Sequence, residues 1–171
     1  MKIGIIIGSV REGRMGESIA RWFQEVVSSP GAAGAADGVD VEVIDLKSFD
    51  LPVLTSAVVP GAADRQYDDE RVQRWSAAID SCDGFVFVTP EYNHSIPGAF
   101  KNAFDSIGPE WGGYKAVGFI SYGGADNGIR AVEHWRSIVS NFHMVDVRTQ
   151  LSLSLFTDLD ADGRPADDER R

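Results

Sequence analysis

The stretch Phe85-Val86-Phe87-Val88-Thr89-Pro90-Glu91-Tyr92-Asn93-His94-Ser95-Ile96-Pro97-Gly98-Ala99-Phe100-Lys101-Asn102-Ala103-Phe104-Asp105 decides how the chain is read. Its first four residues form an apolar run rich in β-branched and aromatic side chains, the pattern of a strand buried on both faces. Pro90 has no N–H to give to a sheet ladder, so the strand is expected to stop there. Pro97 suits the first turn of a helix, where a missing N–H costs nothing. Between the prolines lies a loop carrying a carboxylate, an aromatic ring, an amide and an imidazole. Open α/β sheets bind ligands where strand ends open onto helix starts, which makes this loop the expected functional centre.

Working outward, strand and helix alternate. Ile3 to Ile7 is a glycine-bounded apolar run and reads as a central strand. A polar loop, Gly8 to Ser18, leads into a helix from about Gly16, with Ile19, Trp22, Phe23, Val26 and Val27 on one face. Ser28 to Gly38 is small and without periodicity, and reads as a mobile surface loop. Val39 to Asp45 alternates apolar and acidic residues, the mark of a strand exposed on one side and so of a sheet edge. Leu46 to Asp64 is a long connection expected to cross the end of the sheet. A helix over about 68–81 turns Val72, Trp75, Ala78 and Ile79 inward. After the central loop and its helix, Gly108 to Gly113 makes a turn, with Trp111 expected to be partly exposed beside the site. Lys115 to Ser121 is a fourth strand, and Tyr122 to Gly128 a third strand-end loop. Ile129, Val132, Trp135, Ile138 and Val139 mark a further helix, and Met144 to Arg148 a fifth strand.

Five strands alternating with helices imply a parallel sheet covered on both faces. Two doubly wound orders compete, the dinucleotide-binding and the flavodoxin-like. A dinucleotide fingerprint needs Gly-x-Gly-x-x-Gly after the first strand, but here the glycines fall at Gly8, Gly13 and Gly16. A P-loop needs Gly-Lys-Ser/Thr, which is absent as well. What stands instead is Ser9, Arg11, Arg14 and flexible glycines before a helix N-terminus. Such a loop suits a phosphate monoester, and equally describes a solvated polar turn. The two readings stay open on this loop alone. The expected architecture is an α/β, flavodoxin-like three-layer sandwich with a five-stranded parallel sheet of order 2-1-3-4-5.

Composition narrows the classes. A chain of 171 residues is one domain by length and large enough for a core without metal or disulfide support. We divide it into a folded domain, 1–157, and an acidic tail, 158–171, expected to be frayed. The net charge of −10 argues against nucleic-acid or anionic-membrane partners, both of which need a basic face. Six acidic residues and three arginines in that tail account for part of it. The single Cys82 cannot form an intrachain disulfide, and it reads as a buried, inert thiol. The apolar start, Ile3 to Ile7, is too short for a signal peptide and meets Arg11 and Glu12 where a cleavage region would lie. No run of about 18 apolar residues is present to span a bilayer. A cytoplasmic protein is the expectation.

Three motifs then carry a resemblance. Gly8-Ser9-Val10-Arg11, the segment Pro90 to Gly98 with Lys101, Asn102 and Asp105, and Ser121-Tyr122-Gly123-Gly124 resemble the NADPH-dependent FMN reductase family over roughly residues 1–150. The family has a flavodoxin-like fold and includes flavin, quinone, azo-dye and chromate reductases. The resemblance implies that Ser9, Arg11 and the backbone of Gly16, Glu17, Ser18 and Ile19 hold an FMN phosphate. It implies that Pro90, Glu91, Tyr92 and Asn93 border the isoalloxazine, and that Gly123 and Gly124 allow close approach to the ring. Many members carry Ser and Asn where this chain has Arg14 and Gly16. Arg14 either supplies charge to the phosphate or faces solvent.

The implied activity is hydride transfer from NADPH or NADH to FMN and on to a flavin, quinone or other small acceptor, in a ping-pong scheme with one shared pocket. The chemistry is borne by the flavin, so no catalytic side chain is assigned. A homodimer or homotetramer is implied with it. A flavodoxin-like electron carrier is the alternative, since net acidity suits docking on a basic partner. A fold relative that has lost flavin and acts only in protein contacts is the third. Several residues have plainer readings than their chemistry invites. His94 reads as an exposed loop histidine, and Glu91 as a helix cap rather than a general acid. His134 and His143 have no second ligand at metal spacing, so no metal site is expected. Tyr92 either stacks on substrate or joins a subunit contact.

Overall fold

The computed structural model describes residues 1–29 and 38–166. Five strands form one sheet: β1 (Lys2–Ile7), β2 (Asp40–Asp45), β3 (Gly84–Pro90), β4 (Ala116–Gly123) and β5 (Val145–Ser154). All four pairings are parallel and the order is β2-β1-β3-β4-β5, as the strand–helix alternation predicts. Four helices accompany it: α1 (Gly16–Ser28), α2 (Glu70–Asp80), α3 (Gly98–Asp105) and α4 (Ile129–Val139).

Period-two alternation divides β1 between two cores. Ile5 and Ile7 face α1 with Val88, Ile120, Tyr122 and Leu153. Ile6 faces the other way, into a larger cluster with Phe87, Phe119 and residues of α2, α3 and α4. That cluster is aromatic: Phe87 packs against Phe100 at 5.0 Å and Trp135 at 5.1 Å between ring centroids. Of the four buried tryptophans, Trp75 and Trp135 spend their N–H groups inside, on the Ala103 carbonyl and the Thr89 hydroxyl. Burying polar tips with partners is what lets such large side chains fill a core.

Several expectations need correcting. Trp111 is fully buried, not partly exposed: its ring stacks on Phe104 at 4.6 Å and its N–H donates to the Phe104 carbonyl. The glycine-rich turn around it misled, because the tryptophan points into the core while Gly113 stays exposed. Tyr122 belongs to β4, which runs on to Gly123. Ala78 is only partly buried; Ser76 takes an inward position on α2 instead. Its hydroxyl donates to buried Glu110, which also accepts from the Tyr67 hydroxyl and Gly108 N–H.

The fifth strand is longer than expected, reaching Ser154. Its register slips between Val117 and Phe119, whose partners on β5 are Asp146 and Gln150. That bulge interrupts the alternation just where the sequence pattern was read as ending. Residues 158–166 fold back rather than fray: Leu159 bridges Pro165, and Arg164 pairs with Glu25 of α1 at 2.5 Å. The central part of the Ser28–Gly38 loop and the last five residues of the tail lie outside the described residues.

The long connection after β2 is clamped to α3 by one side chain. Asn102 accepts from Leu54 N–H at 2.9 Å and donates to the Pro52 carbonyl at 2.8 Å. No helix among the described residues is long and apolar enough to cross a membrane.

Candidate functional site

The loops after β1, β3 and β4 leave the same, carboxyl, end of the sheet. β1 and β3 are neighbours there although β2 lies between them in sequence, so the chain order reverses at this point. Connections diverge at such a switch point and leave a crevice.

The first loop is drawn into the crevice by a glycine. A Cβ on Gly8 would stand 2.1 Å from the Phe100 ring, so only glycine lets β1 continue under α3. Ser9 follows, 1% exposed, with its Oγ 2.7 Å from the Tyr92 hydroxyl and accepting from Arg11 N–H at 3.4 Å. The exposed Arg11 guanidinium lies over the Tyr92 ring, 5.8 Å from its centroid, and forms no ion pair among the described residues.

α1 then starts without a cap. Met15 occupies the N-cap and offers no side-chain acceptor, and the first helical bond runs from Ile19 N–H to the Met15 carbonyl. The N–H groups of Gly16, Glu17 and Ser18 are therefore left at the helix end, where the dipole favours an anion. Glu17 is the wrong charge for an anion site, but Arg21 draws its carboxylate away at 3.0 Å. Ile19, expected as a fourth backbone donor, instead closes the first helical bond and packs in the core.

Arg14 does not face solvent. Its side chain is 7% exposed and pairs with Asp45, at the end of β2, over 2.5 Å. Nε and Nη1 have no partner among the described residues.

The central loop is a tight turn. Tyr92 N–H donates to the Ser95 carbonyl and Ser95 N–H to the Tyr92 carbonyl, at 2.9 and 3.0 Å. Asn93 and His94 both take positive φ, 50° and 65°, the geometry of a type I′ turn. Asn tolerates that region because its short polar side chain bonds locally. Asn93 and His94 are exposed at its tip. Ser95 Oγ lies 2.9 Å from His134 Nδ1, tying the loop to α4. Nothing in the spacing of His134 signalled that role.

Glu91 is a cap. Its side chain is 7% exposed; it accepts from Arg130 N–H in the first turn of α4 at 3.2 Å and from Arg130 Nε at 2.6 Å. Pro90 pairs with Tyr122 in register, and Glu91 N–H donates to the Tyr122 carbonyl at 3.2 Å. The backbone of the central loop is thus laid along the end of β4.

The third loop owes its shape to Gly123 and Gly128. Each glycine meets backbone atoms 2.9 Å from where a Cβ would stand, and Gly128 also has a φ of 79°. Gly124 packs against the ring of Phe156, which is 79% exposed. Phe156 lies beyond the motif and was missed in the sequence.

The donors present fit a flavin mononucleotide: an uncapped helix end and the exposed Arg11 guanidinium for a phosphate, and glycine-rich backbone for a flat ring. The comparisons agree. The family model described as NADPH-dependent FMN reductase matches residues 1–158. An NAD(P)H-dependent FMN reductase of Nectria sp is 42% identical over 124 residues, 71% of this chain and 59% of that protein. One of Saccharomyces cerevisiae is 34% identical over 128 residues, 72% of this chain and 66% of that protein. The match therefore spans less than two thirds of either relative's length. Among solved structures, FerB, a flavoenzyme NAD(P)H:(acceptor) oxidoreductase from Paracoccus denitrificans, shares the fold. Its TM-score is 0.68 at 23% identity, covering 99% of this chain and 88% of that one. With the family model matched along nearly its whole described length, the chain belongs to the NADPH-dependent FMN reductase family.

Proposed function

We propose that this chain is an FMN-dependent oxidoreductase that passes reducing equivalents from NAD(P)H to a flavin, quinone or other small acceptor. The observation that carries the reading is the uncapped start of α1, at Gly16, opening on a crevice that Ser9 and Tyr92 close from two sides. Family membership supports it.

When bound, FMN supplies the hydride chemistry. The chain's own residues bind and orient. Arg11 and the N–H groups of Gly16, Glu17 and Ser18 would hold the phosphate, with Ser9 positioned beside them by Tyr92. Pro90, Glu91, Tyr92 and Asn93 would border the ring, Glu91 through its backbone, because its carboxylate is spent on α4. Gly123 and Gly124 would let backbone approach the ring's polar edge, where N–H donors stabilise negative charge.

The assembly in this reading is a homodimer or homotetramer in the cytoplasm. The exposed valines Val53, Val58 and Val59 on the connection clamped to α3 support a subunit contact.

The deciding measurement is the visible spectrum of purified protein with FMN, before and after NADPH. Flavin absorption that bleaches and returns in air is expected. Flavin that binds but stays oxidised with NADPH and NADH would make the chain an electron carrier instead.

A further inference from the structure

A separate cavity of about 720 Å³ lies between the first loop, the connection after β2 and the start of α3. Val10, Leu51, Val53 and Ala99 give it apolar walls, and Lys47 and Asp50 give it charge. Two further cavities are lined chiefly by the connection and α2, and neither touches a loop after β1, β3 or β4.

The walls are held in place. Val53 is 75% exposed, yet it stands between Pro52 and Leu54, both of which are bonded to Asn102 of α3. Asp50 ends the one-turn 3₁₀ helix Leu46–Phe49 in the left-handed region, at a φ of 48°. Its N–H donates to the Lys47 carbonyl at 3.3 Å, and its own carbonyl accepts from Arg71 Nη1 at 3.0 Å. The backbone of Asp50 is thus fixed while its side chain is 91% exposed. Arg71 stands 3.5 Å from the carboxylate and directs Nε and Nη2 to Asp69 instead. Lys47 is engaged by Glu12 at 2.6 Å, and the Arg11 guanidinium, next along the chain from Val10, lies over the Tyr92 ring. Among the described residues, the cavity therefore offers apolar walls and one weakly paired carboxylate.

Pockets of this size and lining take small, flat ligands with a few polar groups. A carboxylate accepts from the hydroxyls of a ribose and repels a phosphate carried on one of them. Apolar walls for a base and a carboxylate for its sugar describe a nucleoside with a free 2′-hydroxyl. The position agrees. The cavity reaches Gly98, the residue after Pro97 of the central loop, so a dinucleotide with its nicotinamide at that loop has room beside it for its other half.

We propose that this cavity holds the adenosine half of the nicotinamide nucleotide, and that Asp50 binds its ribose and makes NADH the preferred reductant over NADPH. The identity of the nucleotide rests on the function proposed above; the preference for a nucleoside without a 2′-phosphate rests on the cavity alone.

The test titrates the protein, with FMN present, with adenosine 5′-monophosphate and with adenosine 2′,5′-bisphosphate by calorimetry. Wild type, Asp50→Asn and Ala99→Trp are compared. Asparagine tolerates the left-handed region, so Asp50→Asn removes the charge and leaves the turn intact. Ala99→Trp fills the cavity from an exposed position on α3. The proposal expects wild type to bind the monophosphate about tenfold or more tightly than the bisphosphate. Asp50→Asn is expected to erase most of that difference, and Ala99→Trp to abolish binding of both. The kcat/KM ratio of NADH to NADPH is expected to fall in Asp50→Asn in the same proportion. A difference that survives Asp50→Asn overturns the proposal, as does tighter binding of the bisphosphate by wild type or monophosphate binding that survives Ala99→Trp. If Ala99→Trp does not fold, Val53→Glu at the exposed rim takes its place, with weakened binding of both nucleotides expected. Monophosphate binding with these responses, but no bleaching of flavin by NADH or NADPH, would keep the nucleoside site and remove the reductase reading. No monophosphate binding would remove the site, whether or not the flavin bleaches.

Discussion

The hydroxyl of Tyr92 stands 2.7 Å from that of Ser9, joining the loop after β1 to the loop after β3 across 83 residues of chain. This bond couples the two sides of the crevice, and Arg11 over the same tyrosine ring adds a second contact. A double-mutant cycle of Ser9→Ala and Tyr92→Phe is expected to give a coupling energy of about 0.5–1.5 kcal/mol in urea denaturation. Strict additivity would mean that the two loops are positioned independently.

Arg11 is exposed and, among the described residues, without a carboxylate partner, so its charge is available to a ligand. Arg11→Ala is expected to weaken FMN binding by about 1.5–3 kcal/mol with little change in the melting temperature. Unaltered affinity would remove Arg11 from the phosphate site.

Asn93 sits at φ 50° in the central turn. Asn93→Ala is expected to cost roughly 1–2 kcal/mol of stability from left-handed strain, and Asn93→Gly close to none. If both variants also slow reduction of bound flavin by NADPH, the asparagine side chain takes part at the ring. If only the alanine variant suffers, the residue serves the turn.

Glu91 accepts from Arg130 twice, through backbone and side chain. Glu91→Gln is expected to lower the melting temperature while the pH profile of turnover keeps its shape, because the carboxylate holds α4 and moves no proton. Loss of a limb from that profile at unchanged stability would make Glu91 a general acid.

Much of this was legible because the signals are local. The run Phe85–Val88 followed by Pro90 marks a buried strand and its end, and Pro97 does stand at the N-cap of the helix that begins at Gly98. Glu91 reads as a cap from its place before a helix, although the helix it caps is α4 and not the one that follows it. Where the pattern broke, the reading broke too. The slip between Val117 and Phe119 hid the second half of β5, and Trp111 was misplaced because a flexible turn says nothing about where its one large side chain points.

The site divides along the same line. Ser9, Arg11, the glycines and the Pro90–Asn93 segment could be named from the chain because each motif is contiguous and follows a strand. Alternation of apolar runs with amphipathic helices likewise determined a parallel doubly wound sheet, since such strands can be covered only by crossover helices. Tertiary structure alone decided that Arg14 turns inward to Asp45, that Tyr122 reaches Gly16 and that His134 meets Ser95. Those partners lie 31, 106 and 39 positions apart, on different elements. Periodicity tells which face of its own element a residue takes. Which distant group it meets there follows only from how the elements pack.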